Sequence, residues 1–436
     1  MNQKKSYRTA FTFVTILFFL WGFITVLVDS LIPRLREVFT LTYFQAGLVQ
    51  FAFFGAYFLL SIPAGYILSK IGYKRGVILG LITMAVGCLL FYPAASERIF
   101  GLFMFGYFTL AAGITILQVA ANPYVTVLGP EKTASSRLNL SQAFNSLGTA
   151  IAPAIGAMFI LRDRVMTSAE INALDEIGRT TYYAEEASAV QVPFLGIAVF
   201  IGIIALVFLF VNLPKIGDTA SSNNYWPVLK NRNLMLGALG IFFYVGAEVA
   251  LGSYMVNYFL NLNLSAIIEN TAFMRSIAEW ILNSGITESS AMAVVGVFVS
   301  FYWTGAMIGR FIGSYLTKFL NPAKVLAFFA IGAIAMIVIS SLSMGMIAMW
   351  TLISVGLFNS IMFPTIFSLA LDGLGDDKPQ GSGVLCTMIV GGAIIPPAFG
   401  FMTDSFGFKT AFLLIVLSYA FIFYYAIRNK KRQVSI

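Results

Sequence analysis

The chain has 436 residues, 59% hydrophobic and 11% charged, with a mean hydropathy of +0.86 and a formal net charge of +8. Soluble domains carry about 25% charged residues, so this composition excludes a water-soluble globule, and the lack of low-complexity or collagen-like tracts excludes disordered and fibrous classes. There is no histidine, and Cys88 and Cys386 stand alone in apolar runs, which excludes histidine metal sites, Ser-His-Asp triads, CxxC pairs and zinc clusters.

Stretches free of Asp, Glu, Lys and Arg set the predicted elements in chain order. They cover 9–28, 38–69, 76–96, 99–130, 138–161, 187–214, 233–268 (interrupted by Glu248), 289–309, 325–371, 379–403 and 410–427. A bilayer core of about 30 Å takes about 20 helical residues. As one helix, 325–371 would measure about 70 Å, so it is predicted to turn near Ser343-Met344-Gly345. The spacing therefore predicts an all-α membrane protein with 12 transmembrane helices, since the ten-residue alternation of a β-barrel is missing. The first run follows basic residues but has no small-residue cleavage site, so it reads as an uncleaved first span. With the N-terminus inside, 19 of the 27 basic residues fall in inside segments, Arg310, Lys318 and Lys324 among them. Both termini are then cytoplasmic. The positive charge is explained by topology and anionic lipid, without nucleic acid. Two outside loops are long. Residues 162–186 are acidic, and 261–288 hold an amphipathic stretch around Ile267–Ile281, so each is a candidate for a short interfacial helix.

The two halves repeat. Gly148-x4-Pro153-x2-Gly156-x-Met158 recurs as Gly392-x4-Pro397-x2-Gly400-x-Met402, and Gly65-x-x-Leu68-x-Lys70 recurs as Gly313-x-x-Leu316-x-Lys318. Pro123 and Pro364 lie 241 residues apart. This predicts two parallel six-helix bundles, 1–213 and 233–436, joined by a cytoplasmic linker at 214–232. The plan resembles the major facilitator superfamily. The Gly-x-x-Leu-x-Lys turns occupy the place of that superfamily's loop motif, although Ser69 stands where many members have an acid. A basic turn that merely obeys the charge rule is the competing reading.

Two acids fall inside spans, Asp29 in span 1 and Glu248 in span 7. An acid at a helix centre costs about 2.5–3.5 kcal/mol on insertion scales, so each is a functional candidate, here for proton coupling. The competing readings are an interfacial acid for Asp29, and a sugar acceptor or an interhelical partner for Glu248. Trp21, Thr25 and Asp29 follow i, i+4, i+8 on one face. Span 4 offers Gln118 and Asn122 before Pro123. Span 5 offers Ser141, Asn145 and Thr149 with Gln142 beside them, and Asn359 stands at the repeat-equivalent of Gln118. Inward amides and hydroxyls with Trp21, Tyr244 and Trp303 suit a sugar, whose hydroxyls need donors and acceptors and whose C–H face wants an aromatic ring. Each polar residue alone is equally explained as interhelical glue, and Trp226 as an interface anchor.

Several strings are similar to the fucose–galactose–glucose:proton symporter family. They include Gln45-Ala46-Gly47-Leu48, Ile62-Pro63-Ala64-Gly65, the run from Ala120-Ala121-Asn122-Pro123 to Glu131, Arg137-Leu138-Asn139-Leu140, Phe144-Asn145-Ser146 and Pro364-Thr365-Ile366-Phe367-Ser368-Leu369. The resemblance covers nearly the whole chain. It implies that Asp29 carries the coupling proton and that Asn145 contacts sugar. It departs at Gln118, where fucose transporters have a glutamate, and at Glu248, where they have a glutamine. That departure points to the glucose, galactose, mannose or N-acetylglucosamine branch. The expected protein is a proton-coupled hexose or amino-hexose carrier of the bacterial inner membrane, with a monosaccharide substrate, no cofactor, no metal, no nucleic-acid partner and a monomeric working form. A sodium-coupled carrier and a multidrug exporter are the alternatives, and an intramembrane enzyme lacks any constellation to support it.

Overall fold

The computed structural model describes residues 2–29, 43–159, 173–211, 213–214, 225–286 and 289–434. No strand occurs among them. The helices are α1 (Asn2–Asp29), α2 (Tyr43–Glu97), α3 (Phe100–Val127), α4 (Ala134–Phe159), α5 (Glu176–Phe210), α6 (Trp226–Lys230), α7 (Arg232–Asn261), α8 (Leu264–Asn270), α9 (Ala272–Leu282), α10 (Ala291–Phe319), α11 (Pro322–Leu342), α12 (Gly345–Asn359), α13 (Met362–Ala370), α14 (Lys378–Thr387), α15 (Gly391–Phe406) and α16 (Phe408–Val434).

Ten segments among the described residues are long and apolar enough to cross a membrane. Two features account for the difference from the twelve expected. The 55-residue α2 is broken at Gly72, whose φ of 78° is costly for a residue with a Cβ, and each side of the break is long enough to span. The 26-residue α4 is a further long helix, richer in polar residues. The turn expected near Ser343-Met344-Gly345 separates α11 from α12.

The polarity runs inside out. Phe51, Phe105 and Phe210 are 69%, 59% and 78% exposed, whereas Asn122, Ser141, Asn359 and Ser382 are fully buried. Lipid solvates apolar side chains without penalty, so helices associate through close packing and polar contacts.

The chain forms two compact units, each taking a short segment from the other half of the sequence. The first comprises Met1–Gly129, Phe144–Val228 and Gly373–Thr387; the second comprises Pro130–Ala143, Leu229–Asp372 and Met388–Ile436. In the first, α14 lies on α2 and α3: a Cβ on Gly383 would sit 2.6 Å from the Ser61 carbonyl, and the Ser382 hydroxyl donates to the Val119 carbonyl at 2.8 Å. The glycine of the first repeated turn, Gly65, faces the Pro379 carbonyl, where a Cβ would be 2.8 Å away. In the second, the start of α4 is held by hydroxyl contacts. The Ser135 and Ser368 hydroxyls are 2.5 Å apart, Ser136 donates to the Ser314 carbonyl at 2.7 Å, and Asn139 Nδ2 donates to Thr365 Oγ1 at 3.1 Å.

The loops depart in part from expectation. α5 starts at Glu176, well inside the loop predicted at 162–186, because Asp175 caps it by accepting from the Gly178 amide at 2.8 Å; residues 160–172 lie outside the described residues. At its other end, Lys74 donates to the Leu209 carbonyl at 2.8 Å, placing a cation at a helix C-terminus. The amphipathic stretch forms α8 and α9. α9 buries Met274 and Ala278, one turn apart, and turns Phe273 and Trp280 outward.

Candidate functional site

In the first unit, α1 and α4 cross closely enough that a Cβ on Gly22 would strike the Asn145 backbone carbonyl, and one on Gly148 would strike the Phe19 carbonyl. This contact holds Asn145 against α1, where its Nδ2 donates to the Phe18 carbonyl at 3.0 Å. Half of the Asn145 amide is thus spent on structure, and Oδ1 is the half outside that bond. Trp21 is buried, with its ring 5.3 Å from that of Phe18. The Thr25 hydroxyl donates to the Trp21 carbonyl at 2.9 Å, so toward a ligand it acts as an acceptor. Thr149 donates likewise within its helix, to the Ser146 carbonyl at 2.8 Å. Asp29 is the last residue of α1, and its side chain lies outside the described residues. On α3, Gln118 Nε2 donates to the Tyr57 hydroxyl of α2 at 2.6 Å. Asn122, one turn on, is fully buried.

The second unit contains the repeat-related arrangement. Asn359 Nδ2 donates to the Tyr302 hydroxyl at 2.5 Å. The two amides lie 241 residues apart and the two tyrosines 245 apart, close to the 248 that separates Gly65 from Gly313. Each half therefore fixes one amide of its fourth span against a phenol of its second. Gly356 makes this possible in the second unit, because a Cβ there would strike the Tyr302 carbonyl. Tyr419 stands beside Asn359. Trp303 is half exposed, edge-on to Tyr302 at 5.0 Å. It covers Gly252, one turn beyond Glu248, where a Cβ would be 2.9 Å from its ring. Gln142 belongs to this unit and is buried beside Ser141.

Glu248 is paired with another helix. The Tyr244 hydroxyl donates to its Oε1 at 2.7 Å, and Arg310 Nη2 of α10 lies 4.0 Å from the same oxygen. Arg310 Nε donates to the Ser360 carbonyl at 3.2 Å. α10 runs on past Arg310 to Phe319, so Arg310 lies within a helix and faces Glu248 instead of standing in a cytoplasmic loop. Removing it from the inside count leaves the sign of the bias unchanged.

Sequence reasoning missed Tyr57, Tyr302 and Arg310. The repeat register relates the two tyrosines to each other, but no signal in it ties either one to its amide. Arg310 is a charge within a helix, and in the sequence a charge reads as the end of a span. Among the described residues no cluster of three or more His, Cys, Asp or Glu could hold a metal ion.

Residues 9–389 match the model of the Major Facilitator Superfamily. A glucose/galactose transporter of Brucella abortus is 46% identical over 433 residues, which cover 99% of this chain and 96% of that one. The L-fucose-proton symporter of Escherichia coli is 36% identical, covering 98% and 94%. The crystal structure of the superfamily transporter FucP in the outward conformation superposes with a TM-score of 0.85 at 35% identity, over 97% of this chain and 99% of that one.

Proposed function

The chain belongs to the Major Facilitator Superfamily and, within it, to the fucose–galactose–glucose:proton symporter family, and from that membership we propose that it carries a hexose of the glucose/galactose class inward with a proton. The observation that carries this reading is the 46% identity to a glucose/galactose transporter over 99% of the chain. It is a multi-pass transporter and not an enzyme. Relatives of this kind support a sugar carrier over a multidrug exporter, and the amide groups support it too, since an apolar drug has no use for them.

In this reading the polar groups recognise hydroxyls. Tyr57 and Tyr302 hold the amide nitrogens of Gln118 and Asn359, so each amide oxygen is presented in a fixed direction to accept from a sugar hydroxyl. Asn145 offers its Oδ1 in the same sense, with Gln142 and Asn122 as further partners. Trp21 and Trp303 supply aromatic faces for the pyranose C–H surface, and Thr25 an acceptor. Asp29 takes and releases the coupling proton. Carriers of this superfamily bind substrate near the bilayer midplane and expose it alternately to each side. The working form is a monomer in a bacterial inner membrane, with both termini cytoplasmic as the basic residues direct.

The test is uptake of a hexose panel by cells or proteoliposomes carrying the protein, with and without a protonophore and with and without sodium. Glucose or galactose accumulation that collapses with the protonophore and persists in sodium-free buffer is expected. Accumulation that vanishes in sodium-free buffer alone would refute the proton assignment.

A further inference from the structure

The transport reading leaves one intramembrane acid, Glu248, without a role, and it gives none to the intramembrane cation Arg310. Their surroundings supply one. The side chains are 16% and 15% exposed, so neither charge is well solvated. On α10, Gly309 precedes Arg310 and lacks the Cβ that would lie 2.6 Å from the Leu357 carbonyl. That lets α10 lie directly on the end of α12. There the Ser360 carbonyl has no helical partner, because the residue four positions on is Pro364, which has no N–H. Arg310 Nε donates to it at 3.2 Å, so the guanidinium is anchored at a break in the backbone. Its Nη2 then lies 4.0 Å from Glu248 Oε1, the oxygen that also accepts from Tyr244 at 2.7 Å.

We infer that Arg310 is the fixed counter-ion of Glu248, and that the two form an electrically neutral strut between α7 and α10 that stays ionised through the cycle. Asp29 is left as the single proton-coupling acid. The inference rests on the proton symport proposed above. A coupling acid must be neutral in one part of the cycle. Protonating Glu248 would take from a guanidinium that cannot itself lose a proton the carboxylate that faces it, and removing one partner of a poorly solvated ion pair is strongly disfavoured. The titratable groups facing Glu248 are Tyr244 from its own helix, Arg310 and Tyr302 from α10 and Tyr419 from α16. The α12–α13 junction meets this group through Ser360, against Arg310, and Asn359, against Tyr302, neither of which titrates. Among the described residues Arg310 is thus the one charge that acts on it. In this scheme Arg310 is a positioning residue that acts through Glu248.

The experiment compares Glu248→Gln, Arg310→Gln and the double variant, in the full-length protein, by thermal unfolding in detergent and by hexose transport in proteoliposomes. Each single variant removes one partner of the pair, so both should melt below wild type and lose at least tenfold in counterflow. The double variant should recover to within about threefold and should still accumulate sugar under an imposed proton gradient. The two defects should differ with pH. Arg310→Gln should recover as pH falls, because its lone carboxylate can be protonated, whereas Glu248→Gln should not. A double variant no better than either single variant, or an Arg310→Gln defect that is flat with pH, would overturn the counter-ion assignment. A double variant that exchanges sugar but no longer accumulates it would make Glu248 a coupling site. Failure of the symport reading shows separately, as absence of proton-driven accumulation by the wild type, while melting still reads the ion pair.

Discussion

Replacing Tyr57 by phenylalanine removes the hydroxyl that supports Gln118 and keeps the ring. Tyr57 is fully buried, with its ring 5.4 Å from that of Phe53, and phenylalanine fills the same space, so the change is confined to one hydroxyl. That hydroxyl accepts from Gln118 Nε2 at 2.6 Å. Interhelical hydrogen bonds in membranes average about 0.6 kcal/mol and reach about 1.7 kcal/mol, and leaving a buried donor unmatched costs about 1–3 kcal/mol. A loss of about 0.7–1.7 kcal/mol in sugar binding follows, which is roughly a threefold to twentyfold rise in the counterflow KM at about 1.4 kcal/mol per decade. The maximal exchange rate should change little, as expected when ground-state and transition-state binding fall together. The assay is hexose counterflow in proteoliposomes for Tyr57→Phe, Gln118→Ala and the pair. If Tyr57 acts by aiming Gln118, it has nothing to aim once the amide is gone, and the double variant should match Gln118→Ala. Fully additive effects, or a Tyr57→Phe protein with wild-type KM beside a defective Gln118→Ala, would refute the reasoning.

Asp29→Asn should abolish sugar accumulation while leaving exchange across the membrane largely intact; undiminished accumulation would remove Asp29 from the coupling role. Gly148→Val should damage both stability and transport, because its Cβ would strike the Phe19 carbonyl and stand 2.9 Å from the Phe23 amide. Overpacking of this kind costs about 1–3 kcal/mol, and the helix pushed aside is the one that bears Trp21, Thr25 and Asp29. A melting temperature and KM equal to wild type would show that α1 and α4 have room that the structure denies them.

Much of this organisation was legible because lipid imposes simple rules. Span length follows from bilayer thickness, so the turn at Ser343-Met344-Gly345 could be placed from run length alone. Repeated Gly and Pro positions marked the two halves because those residues serve backbone geometry, which a duplicated fold keeps. Side-chain pairing across helices was not legible. Nothing local to Gln118 or Asn359 says that a tyrosine on a different span takes its amide N–H, and nothing local to Thr25 or Thr149 says that the hydroxyl is turned back onto its own helix. The start of α5 at Glu176 was missed for a different reason. An N-cap at Asp175 can begin a helix in a charged segment, where hydropathy sees only loop.

The proline repeat connects the polar groups into one causal chain. Pro123 and Pro364 have no N–H to give, which leaves the Val119 and Ser360 carbonyls, also 241 residues apart, without their helical partners. The two units answer the same defect with different donors. In the first, the Ser382 hydroxyl donates to Val119 at 2.8 Å; in the second, Arg310 Nε donates to Ser360 at 3.2 Å. A hydroxyl brings no charge and needs nothing further. A guanidinium brings a full positive charge into a poorly solvated site, and that charge calls for an acid within reach. Glu248 meets the need, and Tyr244 steadies the oxygen that faces Arg310. The acid in the seventh span is therefore traced to a backbone break three spans further along the chain, through the side chain chosen to mend it. The same logic says that Arg310→Ser, with a hydroxyl too short to reach Ser360 as Arg310 does, would leave both a bare carbonyl and a bare carboxylate. Such a variant should melt lower than Arg310→Gln, and equal melting of the two would show that the Ser360 carbonyl needs no donor from α10.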